Sequence, residues 1–316
     1  MKTAYITTSY ICNQKCSFCP CTTAEKRTGE PKLSDLKEIA RRLIEDNGIE
    51  HIVVSGGEPT LFSGFIDFME YICKLKTKRV TVLSTSERFS DYTFLHEFAT
   101  RVNLEKVDVI STIHSQNVSE HENINGLKGS FERTINGLLG LNRVGIKCTV
   151  KHCITKLNYK DLADFYCFVS STFPEAVDVQ FCSIDYCSIP KERLSDEMLS
   201  FPDLEPYFEE MFDIYLSHVE NGSLRKLYCI YMPLCSADPY YWDYFSKNAG
   251  EYDSYVSISK ESKYTNSSNQ SVIGTFATEC EQCTVKTICP GTYKSAFDAY
   301  GNLIVKAYEE NDEQSI

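Results

Sequence analysis

The chain has no excess of basic charge. Its 32 lysines and arginines are outnumbered by 44 aspartates and glutamates, a formal net charge of −12, and no basic stripe interrupts that balance. A polyanionic partner is disfavoured, because affinity for nucleic acid rests mainly on neutralising phosphates with Lys and Arg. No apolar run approaches the roughly 20 residues of a membrane span, and Lys2 leads straight into strand-like sequence without the apolar core of a signal peptide. No membrane association is therefore expected, and the expected compartment is the cytoplasm. No internal repeat is visible. What remains is 316 residues, 42% apolar and 24% charged, the composition of a soluble globular protein with one large core or a core plus a smaller module. Cysteine is abundant, at 15 residues. The cytosol keeps thiols reduced, so these read as metal ligands and buried thiols in place of a disulfide framework.

Three of them, Cys12, Cys16 and Cys19, stand at C-x3-C-x2-C directly after the apolar stretch Thr3 to Ile11. Three thiolates on one short loop can hold three irons of a [4Fe–4S] cube and leave the fourth iron open to a substrate. A zinc knuckle would need a matched second pair of ligands. Downstream, a helix-like stretch with Leu36, Ile39, Ala40, Leu43 and Ile44 precedes a short strand-like run, His51 to Ser55, that opens into Gly56-Gly57-Glu58-Pro59. A strand ending in two glycines lets a ligand press against the backbone.

The run CNQKCSFC with Phe18 before its last cysteine, followed one βα unit later by GGEP, resembles the radical S-adenosylmethionine (SAM) enzymes. That resemblance implies a [4Fe–4S] cluster on Cys12, Cys16 and Cys19, its open iron chelated by the amino and carboxylate groups of SAM. It implies Phe18 near the adenine, and Gly56, Gly57 and Glu58 at the SAM amino group. Ser84 and Ser86 in Ser84-Thr85-Ser86, Ser111 at the end of the fourth strand, and Lys151 in the fifth would complete the SAM contacts. Lysine at that last place keeps a charge but lacks the bidentate fork of arginine. His114 is the candidate catalytic residue on the substrate side, and His121 reads as architectural.

Strand-like runs at about 3–10, 51–55, 79–84, 107–113, 146–154 and 177–182 alternate with helix-like ones, the pattern of a parallel sheet with crossover helices. The expected fold is α/β, a partial (β/α)6 TIM-like barrel followed by a small cysteine-rich auxiliary iron–sulfur module. The helical period from Asp203 to Glu220 closes residues 1–222 as the core. Residues 223–316 form the module, with Ser257 to Ser271 expected as a mobile loop.

In that module Cys280, Cys283 and Cys289 again have cluster spacing, with Cys235 upstream. Four thiolates would saturate a second, auxiliary [4Fe–4S] cluster, and the resemblance is to the short Twitch relative of the SPASM domain. SPASM proteins carry a further cysteine where this chain has Tyr293, so one auxiliary cluster is expected. Cys229 competes with Cys235 as the upstream ligand, preferred for the PLC stretch shared with maturases of His-Xaa-Ser-type peptides. A four-cysteine zinc ribbon has the same C-x2-C signature. The other cysteines, Cys153 and Cys182 among them, are expected to pack cores.

The activity implied is reductive cleavage of SAM to a 5′-deoxyadenosyl radical that abstracts hydrogen from a substrate, with flavodoxin or ferredoxin as reductant. The expected substrate is a ribosomally synthesised peptide, crosslinked or epimerised, gripped by the Tyr-rich half after Ser223. No N-terminal peptide-recognition domain is expected, since the cluster loop starts at residue 12. A dehydrogenase or cyclase for a small molecule such as an aminoglycoside precursor is the alternative enzyme. A zinc-stabilised, non-catalytic binding protein is the alternative of another class.

Overall fold

The computed structural model describes residues 1–19, 21, 32–246, 251–258, 263–271 and 274–309. Among them are nine strands: β1 (Thr3–Thr7), β2 (His51–Ser55), β3 (Arg79–Ser84), β4 (Val107–Thr112), β5 (Lys147–Cys153), β6 (Asp178–Cys182), β7 (Leu227–Ile230), β8 (Glu251–Ile258) and β9 (Tyr264–Ser271). Their hydrogen-bonded order is β7-β6-β5-β4-β3-β2-β1-β8-β9. The pairs β1–β2, β2–β3, β3–β4, β6–β7 and β1–β8 are parallel. The six strands expected from the sequence are β1 to β6, and β7 to β9 are additions. The helices are α1 (Leu33–Glu45), α2 (Phe65–Lys74), α3 (Tyr92–Arg101), α4 (Val118–Asn125), α5 (Ser130–Arg143), α6 (Leu162–Thr172), the short α7 (Leu194–Glu197), α8 (Glu205–Glu220) and α9 (Lys294–Tyr300). No helix among the described residues is long and apolar enough to cross a membrane.

The chain divides into two compact units. The first comprises Met1–Ile113, Val118–Val150 and Glu251–Gln270. Period-two alternation gives its strands two unlike faces. Val80 and Val82 of β3 alternate with Thr81, as Val107 and Val109 of β4 alternate with Asp108, and the valines are almost wholly buried. The polar alternates bond across the strands: the His51 Nε2 and Thr81 Oγ1 atoms lie 2.8 Å apart, Thr81 donates to Asp108 Oδ2 at 2.9 Å, and Arg79 Nε donates to Asp108 Oδ1 at 2.7 Å. Phe65 of α2 stacks on Phe94 and Phe98 of α3, with Phe89 against both of the latter. Each such ring contributes roughly 1.5–3 kcal/mol by leaving water. Asp91 caps α3, its carboxylate accepting from the N–H groups of Thr93 and Phe94.

The stretch Ser257 to Ser271 is not the mobile loop that its composition suggests. It holds the end of β8 and all of β9, with 259–262 outside the described residues. The reason is tertiary. Ser254, Tyr255 and Val256 stand in parallel register with Ala4, Tyr5 and Ile6 of β1, and Tyr5 and Tyr255 stack at 4.8 Å between centroids.

The second unit comprises His114–Asn117, Lys151–Gly250 and Ser271–Ile316. Here His152, Val179 and Phe181 form the face that α6 covers, with Phe165 at 4.0 Å from the His152 ring and 6.0 Å from that of Phe181. Their alternates, Lys151, Cys153, Gln180 and Cys182, lie on the opposite face. The helix expected over Asp203 to Glu220 is a 3₁₀ turn, Phe201–Leu204, running into α8, which ends at Asn221 with Gly222 at φ 94°.

Candidate cluster and cofactor sites

The first cysteine loop leaves β1 and is tied to its neighbours by backbone hydrogen bonds. Gly57 N–H donates to Ser9 O and Glu58 N–H to Ile11 O, both at 2.8 Å, while Lys15 and Ser17 donate to Asn125 and Ile124 of α4. Cys12, Cys16 and Cys19 are therefore fixed at several points along the loop. Backbone N–H groups point at two of the sulfurs: Gln14 N–H at Cys12 Sγ and Cys21 N–H at Cys19 Sγ, each at 3.4 Å. Such donors stabilise thiolate ligands, so this donor set fits an iron–sulfur cluster. Phe18 is half-buried between Cys16 and Cys19.

Glu58 is 2% exposed and held on both carboxylate oxygens. Its Oε1 accepts from Thr60 N–H at 3.0 Å, Thr60 Oγ1 at 2.6 Å and Ser84 Oγ at 2.7 Å, and its Oε2 accepts from Thr85 N–H at 2.6 Å. The carboxylate thereby pins the end of β3 to the turn after β2. Ser84 Oγ also accepts from Ser86 N–H, which holds Ser86 in the left-handed region at φ 61°.

The two glycines have a reason the sequence did not show. A Cβ on Gly56, at φ 144°, would lie 2.1 Å from Ser9 O, and one on Gly57 would lie 2.4 Å from Ile11 O. It is the backbone of the cysteine loop that presses on them, a constraint in addition to the ligand contact expected from the sequence.

Ser86 Oγ and Ser111 Oγ are buried with no hydrogen-bond partner among the described residues. Leaving a buried hydroxyl unpaired costs about 1–3 kcal/mol, so both fit a site where a polar ligand supplies the missing bond. Ser111 sits on the face of β4 that it shares with Val109, in register with Ser84. His121 is buried in α4 edge-on to Phe131 at 5.4 Å, and burial pushes its pKa down to about 4. It packs α4 against α5 through that ring contact.

In the second unit, His114 is 3% exposed and its carbonyl accepts from Asn158 Nδ2 at 2.8 Å. Lys151 hydrogen-bonds Cys182, whose thiol donates to Cys153 Sγ at 3.5 Å. Cys153 and Cys182 are buried in the core, as core packing requires, and stand there as a thiol pair on the face of β5 and β6 opposite α6. Strand alternation relative to His152 and Phe181 was the signal that would have shown it.

Cys235, Cys280, Cys283 and Cys289 line one cavity, with Lys286, Lys306 and Tyr308 among its other walls. Leu234 N–H and Gly291 N–H both point at Cys289 Sγ at 3.4 Å. Burial pushes the Cys235 thiol up to about 12 and raises those of Cys280 and Cys289. A metal would have to displace protons to bind there. The donor set, four thiols about one cavity, fits a fully ligated cluster. Cys229 is not at this cavity: it is wholly buried in β7, in register with Phe181. Cys235→Ala is therefore expected to lower bound iron by about half and Cys229→Ala to leave it unchanged, assuming two four-iron clusters. Colorimetric iron assay of anaerobically purified protein checks this.

The C-terminal tyrosines divide. Tyr241 and Tyr244 stack on Phe212 of α8 at 4.9 and 5.0 Å, and Tyr252 and Tyr255 pack on Tyr5. Trp242 Nε1 donates to Leu234 O and Ala237 O, while Tyr240 is 74% exposed. Most of the aromatic surface that composition offered to a peptide is spent inside the protein.

Comparison with known proteins agrees with this geometry. A family model described as the radical SAM superfamily matches residues 6–169. The antilisterial bacteriocin subtilosin biosynthesis protein AlbA of Bacillus subtilis (strain 168) is 28% identical over 158 residues, 49% of this chain and 34% of AlbA. GTP 3′,8-cyclase of Synechococcus elongatus is 29% identical over 168 residues, 50% of this chain and 48% of the cyclase. The chain thus spans between a third and a half of these relatives. Among solved structures, native anSMEcpe with bound AdoMet and Kp18Cys peptide superposes with a TM-score of 0.67 at 15% identity, covering 99% of this chain and 94% of that one.

Proposed function

This chain belongs to the radical SAM superfamily, and from that premise we propose that it modifies a ribosomally made peptide, by a crosslink or by epimerisation. The similarity to AlbA, a bacteriocin biosynthesis protein, carries the peptide reading. In this reading Cys12, Cys16 and Cys19 hold a [4Fe–4S] cluster that binds SAM, and Cys235, Cys280, Cys283 and Cys289 hold a second one in a Twitch-like module spanning residues 223–316. When bound and reduced by a flavodoxin or ferredoxin, the first cluster and SAM supply a carbon radical able to take hydrogen from an unactivated C–H bond.

The chain's own residues bind, orient and exclude. Glu58 and the carbonyls of Gly56 and Gly57 receive the SAM amino group, and Phe18 packs near its adenine. Ser86 and Ser111 have hydroxyls with no partner among the described residues to offer, and Lys151 supplies a positive charge for the carboxylate. His114 is the substrate-side residue. Because the superfamily's radical chemistry resides in the cofactors, no acid–base dyad is required of the protein.

The similarity to a GTP cyclase favours a second reading, a cyclase or dehydrogenase for a small molecule. Incubation of reduced holoenzyme and SAM with a short peptide encoded beside the gene separates the two. The expected outcome is a mass change of about −2 for a crosslink, or for an epimerisation a mass unchanged in ordinary water and raised by about 1 in heavy water through deuterium uptake. Neither change, alongside turnover of a free nucleotide or aminoglycoside, would move the assignment to the small-molecule reading. Protein that binds zinc and no iron would end both.

A further inference from the structure

Glu87 opens the 3₁₀ turn Glu87–Ser90 directly after β3 and is only 5% exposed. A carboxylate that deep needs partners, and it has them on two sides. Oε1 accepts from Gln14 Nε2 at 2.8 Å and from Asn13 Nδ2 at 3.3 Å, both residues of the cysteine loop. Oε2 accepts from Arg133 Nε of α5 at 2.9 Å, and Arg133 Nη2 lies 2.8 Å from the same oxygen. The turn is itself seated tightly on α5, where a Cβ on Gly137 would lie 1.9 Å from Ser86 O.

Gln14 stands between Cys12 and Cys16 and is 6% exposed. Its backbone N–H points at Cys12 Sγ at 3.4 Å, and its Oε1 accepts from the Cys16 thiol at 3.6 Å. The thiol bond is lost once Cys16 becomes a thiolate ligand, whereas the backbone donor to Cys12 persists. Anchoring the Gln14 side chain is what keeps that backbone donor aimed. The carboxylate also sets the amide's orientation, because a flipped Gln14 would turn its oxygen on Glu87.

We propose that Glu87, braced by Arg133, is the positioning residue of the first cysteine loop, holding Gln14 so that Cys12 and Cys16 are presented as cluster ligands. The proposal rests on the reading of that loop as the SAM cluster site. Residues that orient metal ligands from behind commonly change metal affinity by about 10–100-fold when altered.

The test is iron loss from anaerobic holoprotein to a ferrous chelator, followed by the electron paramagnetic resonance signal that SAM perturbs. Glu87→Gln and Gln14→Glu are each expected to accelerate the loss about 10–100-fold, the first by leaving one acceptor oxygen for the donors of both Gln14 and Arg133 and the second by setting carboxylate against carboxylate. The swapped pair, Gln14→Glu with Glu87→Gln, restores one donor facing one acceptor and leaves an oxygen for Arg133, so its rate is expected within about threefold of wild type. A single variant that takes up no cluster counts with acceleration, since the swap is then expected to take it up. Wild-type rates in both singles, or a swap as defective as the product of the singles, would overturn the proposal. A wild-type protein with no SAM-responsive signal would instead overturn the cluster reading beneath it.

Discussion

Replacing Cys12, Cys16 and Cys19 together by alanine is expected to abolish SAM cleavage and to remove about half of roughly eight irons per chain, the number for two four-iron clusters. Cys280→Ala or Cys283→Ala is expected to remove the other half and to spare SAM cleavage by the first cluster. The asymmetry follows from the ligand sets. A four-iron cluster on the three-cysteine loop would leave one iron for a small molecule to chelate, whereas one held by the four thiols around the second cavity would leave none. Iron assay with chromatographic detection of 5′-deoxyadenosine reads both halves in one preparation. SAM cleavage at the wild-type rate by the triple variant would detach the first loop from the chemistry.

Gly57→Val is the second substitution with a large expected effect, and the structure changes what it should do. From the sequence, a side chain there would block a ligand and weaken SAM binding while the cluster stayed intact. In the structure its Cβ would come 2.4 Å from Ile11 O, 2.7 Å from Ile11 C and 2.8 Å from Tyr10 O, all backbone atoms of the stretch leading to Cys12. Main chain held by the Gly57-to-Ser9 and Glu58-to-Ile11 hydrogen bonds cannot give way as a side-chain tip would. Overpacking of this kind costs about 1–3 kcal/mol or more, here charged to the cysteine loop. The expected result is a parallel fall in bound iron and SAM affinity. Full iron with weakened SAM binding alone would return the glycines to a purely ligand-facing role.

Much of this was legible because the signals are local. Cysteine spacings declare themselves within eight or ten residues, and short strand-like runs alternating with helix-like ones marked β1 to β6 close to their observed ends. The gaps are long-range. β9 reads Tyr264-Thr-Asn-Ser-Ser-Asn-Gln-Ser271, with no apolar alternation, and is a strand because β8 beside it pairs with β1 some 250 residues earlier in the chain. Glu87 gave no sign in the sequence, being 73 positions from Gln14 and 46 from Arg133. Where Cys229 and Cys235 lie is likewise a matter of tertiary placement, one inside β7 and the other at the cavity. Tyrosine content pointed outward, toward a partner, where packing on Phe212 and Tyr5 shows four of those rings turned inward.

The central claim is that the loop Cys12–Cys19 makes this chain a SAM-cleaving enzyme, and it is tested most directly without knowing the substrate. Anaerobically reconstituted wild-type protein, reduced with dithionite and given SAM alone, is expected to yield 5′-deoxyadenosine and methionine in equal amounts, slowly but above the triple-cysteine variant. Equal production by wild type and variant, or none by a wild-type protein that carries its full iron and whose spectrum does not respond to SAM, would contradict it.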